Sequence, residues 1–132
     1  MQSGTLFLIP TPLSEGDPNM VIPAGVASKL IELRHYIVED TRTARRFISK
    51  MKLGIEIDQL YFEELNEHSD PKFVSELLDP LRKGMDVGLL SEAGVPGVAD
   101  PGALAIAAAH TQGIRVVPLT GPSSILLTIM AS

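Results

Sequence analysis

The sequence contains no cysteine, which excludes disulfides and thiolate metal sites. Basic residues are also in short supply: 11 Lys and Arg stand against 16 Asp and Glu, a net charge of -5. A stand-alone nucleic-acid binder normally shows a basic excess, so that class loses support, although a local basic strip is compatible with the total. The opening MQSGTLFLIP has neither the basic region nor the apolar length of a signal peptide or membrane span. These absences predict a soluble cytoplasmic protein with no membrane contact. Two nucleotide-binding fingerprints are missing as well. No G-x-G-x-x-G follows the first apolar run, and no G-x-x-x-x-G-K-[ST] occurs anywhere. There is no metal-ligand cluster, internal repeat, linker or Asn-Gly hairpin turn.

What is present is a chain 45% hydrophobic and 20% charged, which suits one domain over residues 1–132 with a core of its own. TLFLI (5–9) is a bulky apolar run closed by Pro10 and predicts a buried strand. Residues 10–23 hold four prolines and predict a loop. The spacing of Val26, Leu30, Ile31 and Leu33 predicts a helix over 24–35, and YIVE (36–39) a second strand. Residues 40–54 predict a helix capped by Asp40 or Thr41, with Phe47, Ile48 and Met51 on its apolar stripe and Gly54 closing it. QLYFEEL (59–65) predicts a third strand, and residues 71–84 a helix capped by Ser69 or Asp70 and bent by Pro80. DVGLL (86–90) predicts a strand, residues 103–112 a helix of small side chains, and IRVVPL (114–119) a last strand. A final helix is expected from Gly121, with Pro122 in its first turn. Strand and helix alternate about five times, which predicts an α/β fold of three layers, α/β/α, around a mainly parallel five-stranded sheet.

In such sheets ligands bind at the carboxyl ends of the strands. Three of these ends lead into loops of unusual composition: IPTPLSEGD, SEAGVPGVADPG (91–102) and LTGPSS. Glycine lets main chain approach a ligand closely, and proline holds a loop in one shape. Any one of these loops has the composition of an ordinary turn, but three on one edge favour a close-fitting site. Pro10 and Pro12 withhold two N–H groups that a phosphate cradle would use, so the expected ligand has no phosphate.

GTLFLIPTPL (4–13), VEDTRTARRF (38–47), GMDVGLLSEAGVPGVADPG (84–102) and VVPLTGPSSILL (116–127) resemble, in order and spacing, the tetrapyrrole methylase superfamily. Within it they are most similar to the methyltransferases of small-subunit ribosomal RNA. The resemblance implies binding of S-adenosylmethionine, a ligand without phosphate, in a cleft between two α/β domains. It also implies that this sequence is the N-terminal half, lacking a C-terminal domain, and that the full-length protein is a homodimer. By the same resemblance Pro10 and Thr11 lie beneath the cofactor. Glu92, Ala93, Gly94, Val95, Pro96 and Gly97 wrap its methionine and ribose, and Ser123, Ser124 and Ile125 line the other side. Three departures stand out. Glu92 replaces the usual aspartate, Thr120 the usual proline, and the first loop reads S-E-G-D-P-N-M where relatives have G-N-L-x-D-I-T. That loop borders the substrate in relatives.

Methyl transfer is an in-line displacement, and a ribose hydroxyl is a poor nucleophile that benefits from a base or electrostatic aid. Glu39, Asp40 and Arg42 are the catalytic candidates, with Glu67 and His68 as further bases. Asp40 and Thr41 equally suit a helix cap, and Arg42 a partner for a carboxylate. Arg42, Arg45 and Arg46 are candidates for clamping substrate phosphates, against the alternative of a solvated helix face. His35 and His110 are expected at helix ends without chemistry. The function expected is S-adenosylmethionine-dependent methylation of a ribose 2′-hydroxyl in small-subunit ribosomal RNA, the half-protein alone being inactive. The alternatives are a methyltransferase of tetrapyrroles or other non-RNA substrates, and a non-catalytic domain binding S-adenosylmethionine or a nucleotide.

Overall fold

Short apolar strands buried on both faces need helices above and below them, and the chain supplies both layers. A computed structural model describes residues 3–9, 24–65, 70–90 and 102–119. Along the chain these form β1 (Thr5–Ile9), α1 (Ala24–Glu32), β2 (His35–Val38), α2 (Thr41–Lys50), a 3-10 turn (Ile57–Gln59) and β3 (Tyr61–Glu64). There follow α3 (Pro71–Leu77), α4 (Asp79–Arg82), β4 (Val87–Leu90), α5 (Gly102–Thr111) and β5 (Arg115–Pro118). All described strand pairs are parallel, in the order β3-β2-β4-β1-β5. The expected α/β class and five-stranded sheet are therefore found.

The pleat sends alternate side chains to opposite faces, and two clusters record this. Leu6, Leu8, Ile37, Val87 and Leu89 pack with Val74, Leu77 and Leu78 of the α3 region, Leu81 of α4 and Ala105 and Ala109 of α5. Ile9, Tyr36, Val38 and Leu90 pack with Val26 and Leu30 of α1 and Ala44, Phe47 and Ile48 of α2. Helices α1 and α2 thus cover one face, and α3, α4 and α5 the other. This is the division that right-handed crossovers produce when the chain first moves one way across the sheet and then back. Tyr36 is buried on the first face, where its hydroxyl donates to the Leu30 carbonyl at 3.2 Å and burial raises its pKa. Gly88 makes room for that ring, since a Cβ there would lie 2.9 Å from Tyr36 Cε1.

Four details differ from the sequence reading. The helix expected over 71–84 is two helices meeting at Leu78. Pro80 has no N–H to give to the preceding turn, and hydrogen bonding resumes with the Arg82 N–H on the Leu78 carbonyl, 3.2 Å. Helix α2 ends at Lys50, ahead of Gly54, with Lys52 in the left-handed region at φ 53°. His35 opens β2 and is not at a helix end; its ring stacks on Tyr61 at 4.8 Å. Burial lowers its pKa, opposed by the Glu63 charge. The 3-10 turn at 57–59 had no signal in the periodicity. The expected helix from Gly121 lies outside the described residues. Among the described residues no helix is long and apolar enough to cross a membrane.

Candidate functional site

Ile9 ends β1 and Leu90 ends β4, and these two residues are register partners. Leu8 pairs with Pro118, the last residue of β5, and Ile37 with Leu89 across β2 and β4. The chain therefore leaves β2, β4, β1 and β5 from four adjacent strands at one edge of the sheet. The loops singled out by composition follow β1, β4 and β5, and the Glu39-Asp40-Thr41-Arg42 segment follows β2. Parallel strand order brings the four strand ends side by side although they are far apart in sequence. Pro10, Thr11, Glu67, His68, Glu92 to Gly97 and Ser123 to Ile125 themselves lie outside the described residues.

At this edge Val38, Glu39, Leu65, Leu90 and Gly102 line a shallow hollow. Its floor is apolar, and Glu39 is half-buried on its rim. The described strands end in Ile9, Val38, Glu64, Leu90 and Pro118, none of which carries a positive charge.

The corner between β2 and α2 is held by two carboxylates. Asp40 is extended (φ -143°, ψ 117°) and caps α2: its Oδ1 accepts from the Arg42 N–H at 2.9 Å and its Oδ2 from the Thr43 hydroxyl at 3.3 Å. The second carboxylate arrives from 23 residues further on, where Glu64 Oε2 accepts from the Thr41 N–H at 2.8 Å. Sequence reasoning missed Glu64, and no local signal marks it, because the contact exists only once β3 pairs with β2. Asp40 was anticipated both as cap and as catalytic candidate, and the structure shows the cap. Replacing Asp40 with alanine is expected to cost about 1 kcal/mol of stability, with asparagine recovering most of it. Urea unfolding of the three proteins measures this, and equal midpoints would mean the cap contributes nothing.

Arg42 and Arg46 are exposed and make no ion pair among the described residues. Arg45 is paired with Asp58 at 2.8 Å, so one of the three arginines considered for phosphate already has an anionic partner. His110 is exposed in the last turn of α5. No group of His, Cys, Asp and Glu suited to a metal occurs among the described residues.

The fold is an all-parallel α/β sheet, a class in which ligands generally bind at the carboxyl ends of the strands. A scan against protein-family models found no match. Comparison with curated proteins is specific: the chain is similar, over nearly all its length, to ribosomal RNA small subunit methyltransferase I. It is 34% identical over 133 residues to that protein from Pseudomonas aeruginosa, covering 100% of this chain and 44% of the relative. Against the Micromonospora olivasterospora protein identity is 32% over 134 residues, 98% of this chain and 39% of the relative. The Vibrio cholerae protein is 28% identical over 128 residues, 96% of this chain and 41% of the relative. The chain thus spans about two fifths of the length of these relatives.

Proposed function

We propose that this chain is the N-terminal, S-adenosylmethionine-binding half of a methyltransferase of the tetrapyrrole methylase type, acting on a ribose 2′-hydroxyl of small-subunit ribosomal RNA. The observation that supports the reading is that the four strands leading into motif-bearing segments are neighbours with their carboxyl ends at one sheet edge, in a chain whose relatives are named as ribosomal RNA methyltransferases. The described strand ends support that choice of cofactor. Described strand ends without a cation suit a ligand that lacks phosphate and carries a positive sulfonium.

S-adenosylmethionine supplies an electrophilic methyl group. The protein's task is to hold the hydroxyl oxygen in line with that methyl carbon and to keep water out. With the cofactor bound, the hydroxyl oxygen would take up the methyl group and its proton would need an acceptor on the protein. Glu39, half-buried at the carboxyl end of β2, is the carboxylate assigned to receive it. Arg42, in the first turn of α2, is assigned to a substrate phosphate next to the reacting ribose. Pro10, Thr11, Glu92 to Gly97 and Ser123 to Ile125 are assigned to the cofactor. The complete protein is proposed to work as a homodimer in the cytoplasm.

Tritium transfer from labelled S-adenosylmethionine to undermethylated small ribosomal subunits tests this. The full-length protein is expected to place label in the RNA. Cofactor binding without RNA labelling would remove the substrate from the proposal. The 132-residue chain alone is expected to bind S-adenosylmethionine far more weakly than the full-length protein, and equal affinities by calorimetry would contradict a cleft between two domains.

A further inference from the structure

Helix α2 and the residues after it read TRTARRFISKMK over 41–52, with Arg42, Arg45, Arg46, Lys50 and Lys52 and no acidic residue. Five of the chain's 11 basic residues thus fall in one short segment of an acidic protein. Arg42, Arg46 and Lys50 are four apart, so they stand in a row along one side of the helix, about 6 Å of rise between neighbours. All five basic side chains are exposed, while Ala44, Phe47, Ile48 and Met51 are buried on the opposite side. The core contacts fix which side of α2 faces out. Among the described residues Arg45 is paired with Asp58, and the other four make no ion pair. The row starts beside Glu39, at the carboxyl edge of the sheet, and leads away from it along the outer surface.

We propose that the outer face of α2 is the track on which the sugar-phosphate backbone of the substrate RNA lies, held by the Arg42–Arg46–Lys50 row with Lys52 beyond it. This rests on the ribosomal RNA reading and extends it from one arginine at the site to a surface. A regular row of exposed cations, without an ion pair among the described residues, matches the repeating charge of a nucleic-acid strand, and past Arg42 the row leads away from the Glu39 rim of the strand-end hollow. The track contributes affinity independent of base sequence and delivers the nucleotide that follows it to the sheet edge.

The test measures binding of a single-stranded small-subunit ribosomal RNA oligonucleotide by the full-length protein as salt is varied. The double variant Arg46→Gln/Lys50→Gln is compared with Lys72→Gln/Lys83→Gln, which removes the same charge from exposed positions on the other face. For the first pair the slope of log affinity against log salt is expected to fall by about 1.4, near 0.7 per charge removed. Affinity at low salt should drop roughly tenfold, with S-adenosylmethionine affinity and melting temperature unchanged. The second pair should keep the wild-type slope. Equal slopes in the two pairs would overturn the track while leaving the methyltransferase reading intact. A wild-type protein that binds no RNA would overturn both. Loss of slope in a protein that transfers no methyl group to RNA would keep the track and remove the reaction.

Discussion

Replacing Gly4 with alanine is expected to cost about 3 kcal/mol or more of folding stability, at the upper end for an added methyl group. A Cβ at this position would lie 1.9 Å from the Met85 carbonyl oxygen and 2.4 Å from its carbon. Both are main chain, so no side-chain rotation relieves the overlap. Gly4 cannot simply retreat either. Its N–H donates to the Leu81 carbonyl at 2.7 Å, and the next N–H, of Thr5, donates to Asp86 Oδ1 at 2.8 Å. Moving the segment would break these bonds and drag on the β1–β4 pairing that aligns Ile9 with Leu90. Gly113→Ala is the control: its φ of 72° carries a backbone penalty of about 1–2 kcal/mol, but nothing lies within 4 Å of the added atom. Urea unfolding of the two variants separates the effects. A Gly4 variant no less stable than the Gly113 variant would mean that the two strands approach less closely at their amino ends than described.

The second large effect concerns the cofactor. In the full-length protein Gly94→Val is expected to weaken S-adenosylmethionine binding by a hundredfold or more with the melting temperature unchanged. Gly94 lies in the segment that leaves β4 after Leu90, between two strands that end in neighbouring candidate segments. A site in which main chain presses on a ligand has no room for a branched side chain, whereas a solvent-facing turn would accept one. Calorimetry on the folded variant decides. Wild-type affinity would take this loop out of the site.

Much of the fold was legible because its signals are local. TLFLI, DVGLL and RVVP are apolar runs bounded by turn residues, and Asp40 and Asp70 cap the helices they precede. The split at Leu78 was half legible: Pro80 announced a bend, but the contacts that Arg82 makes across it join residues distant in sequence. Its guanidinium meets Asp79, the Ser75 carbonyl and Gln112, tying α4 to α3 and to the end of α5. Pairings between distant segments had no signal. Nothing in YIVE or DVGLL says that β2 sits beside β4, yet that adjacency puts the Glu39 corner next to Leu90 at the end of β4. Glu64 is the same case at the scale of one hydrogen bond. Motif resemblance supplied the proposed cofactor residues, and strand order shows that the strands leading into them are neighbours.

A crystal structure of the complete protein with S-adenosylhomocysteine bound tests the central claim most directly. The ligand should rest on the carboxyl ends of β4, β1 and β5, touching main chain of residues 92–97 on one side and 123–125 on the other, with Pro10 and Thr11 beneath it. A ligand seated at another edge, with the segment after Leu90 turned to solvent, would contradict the account.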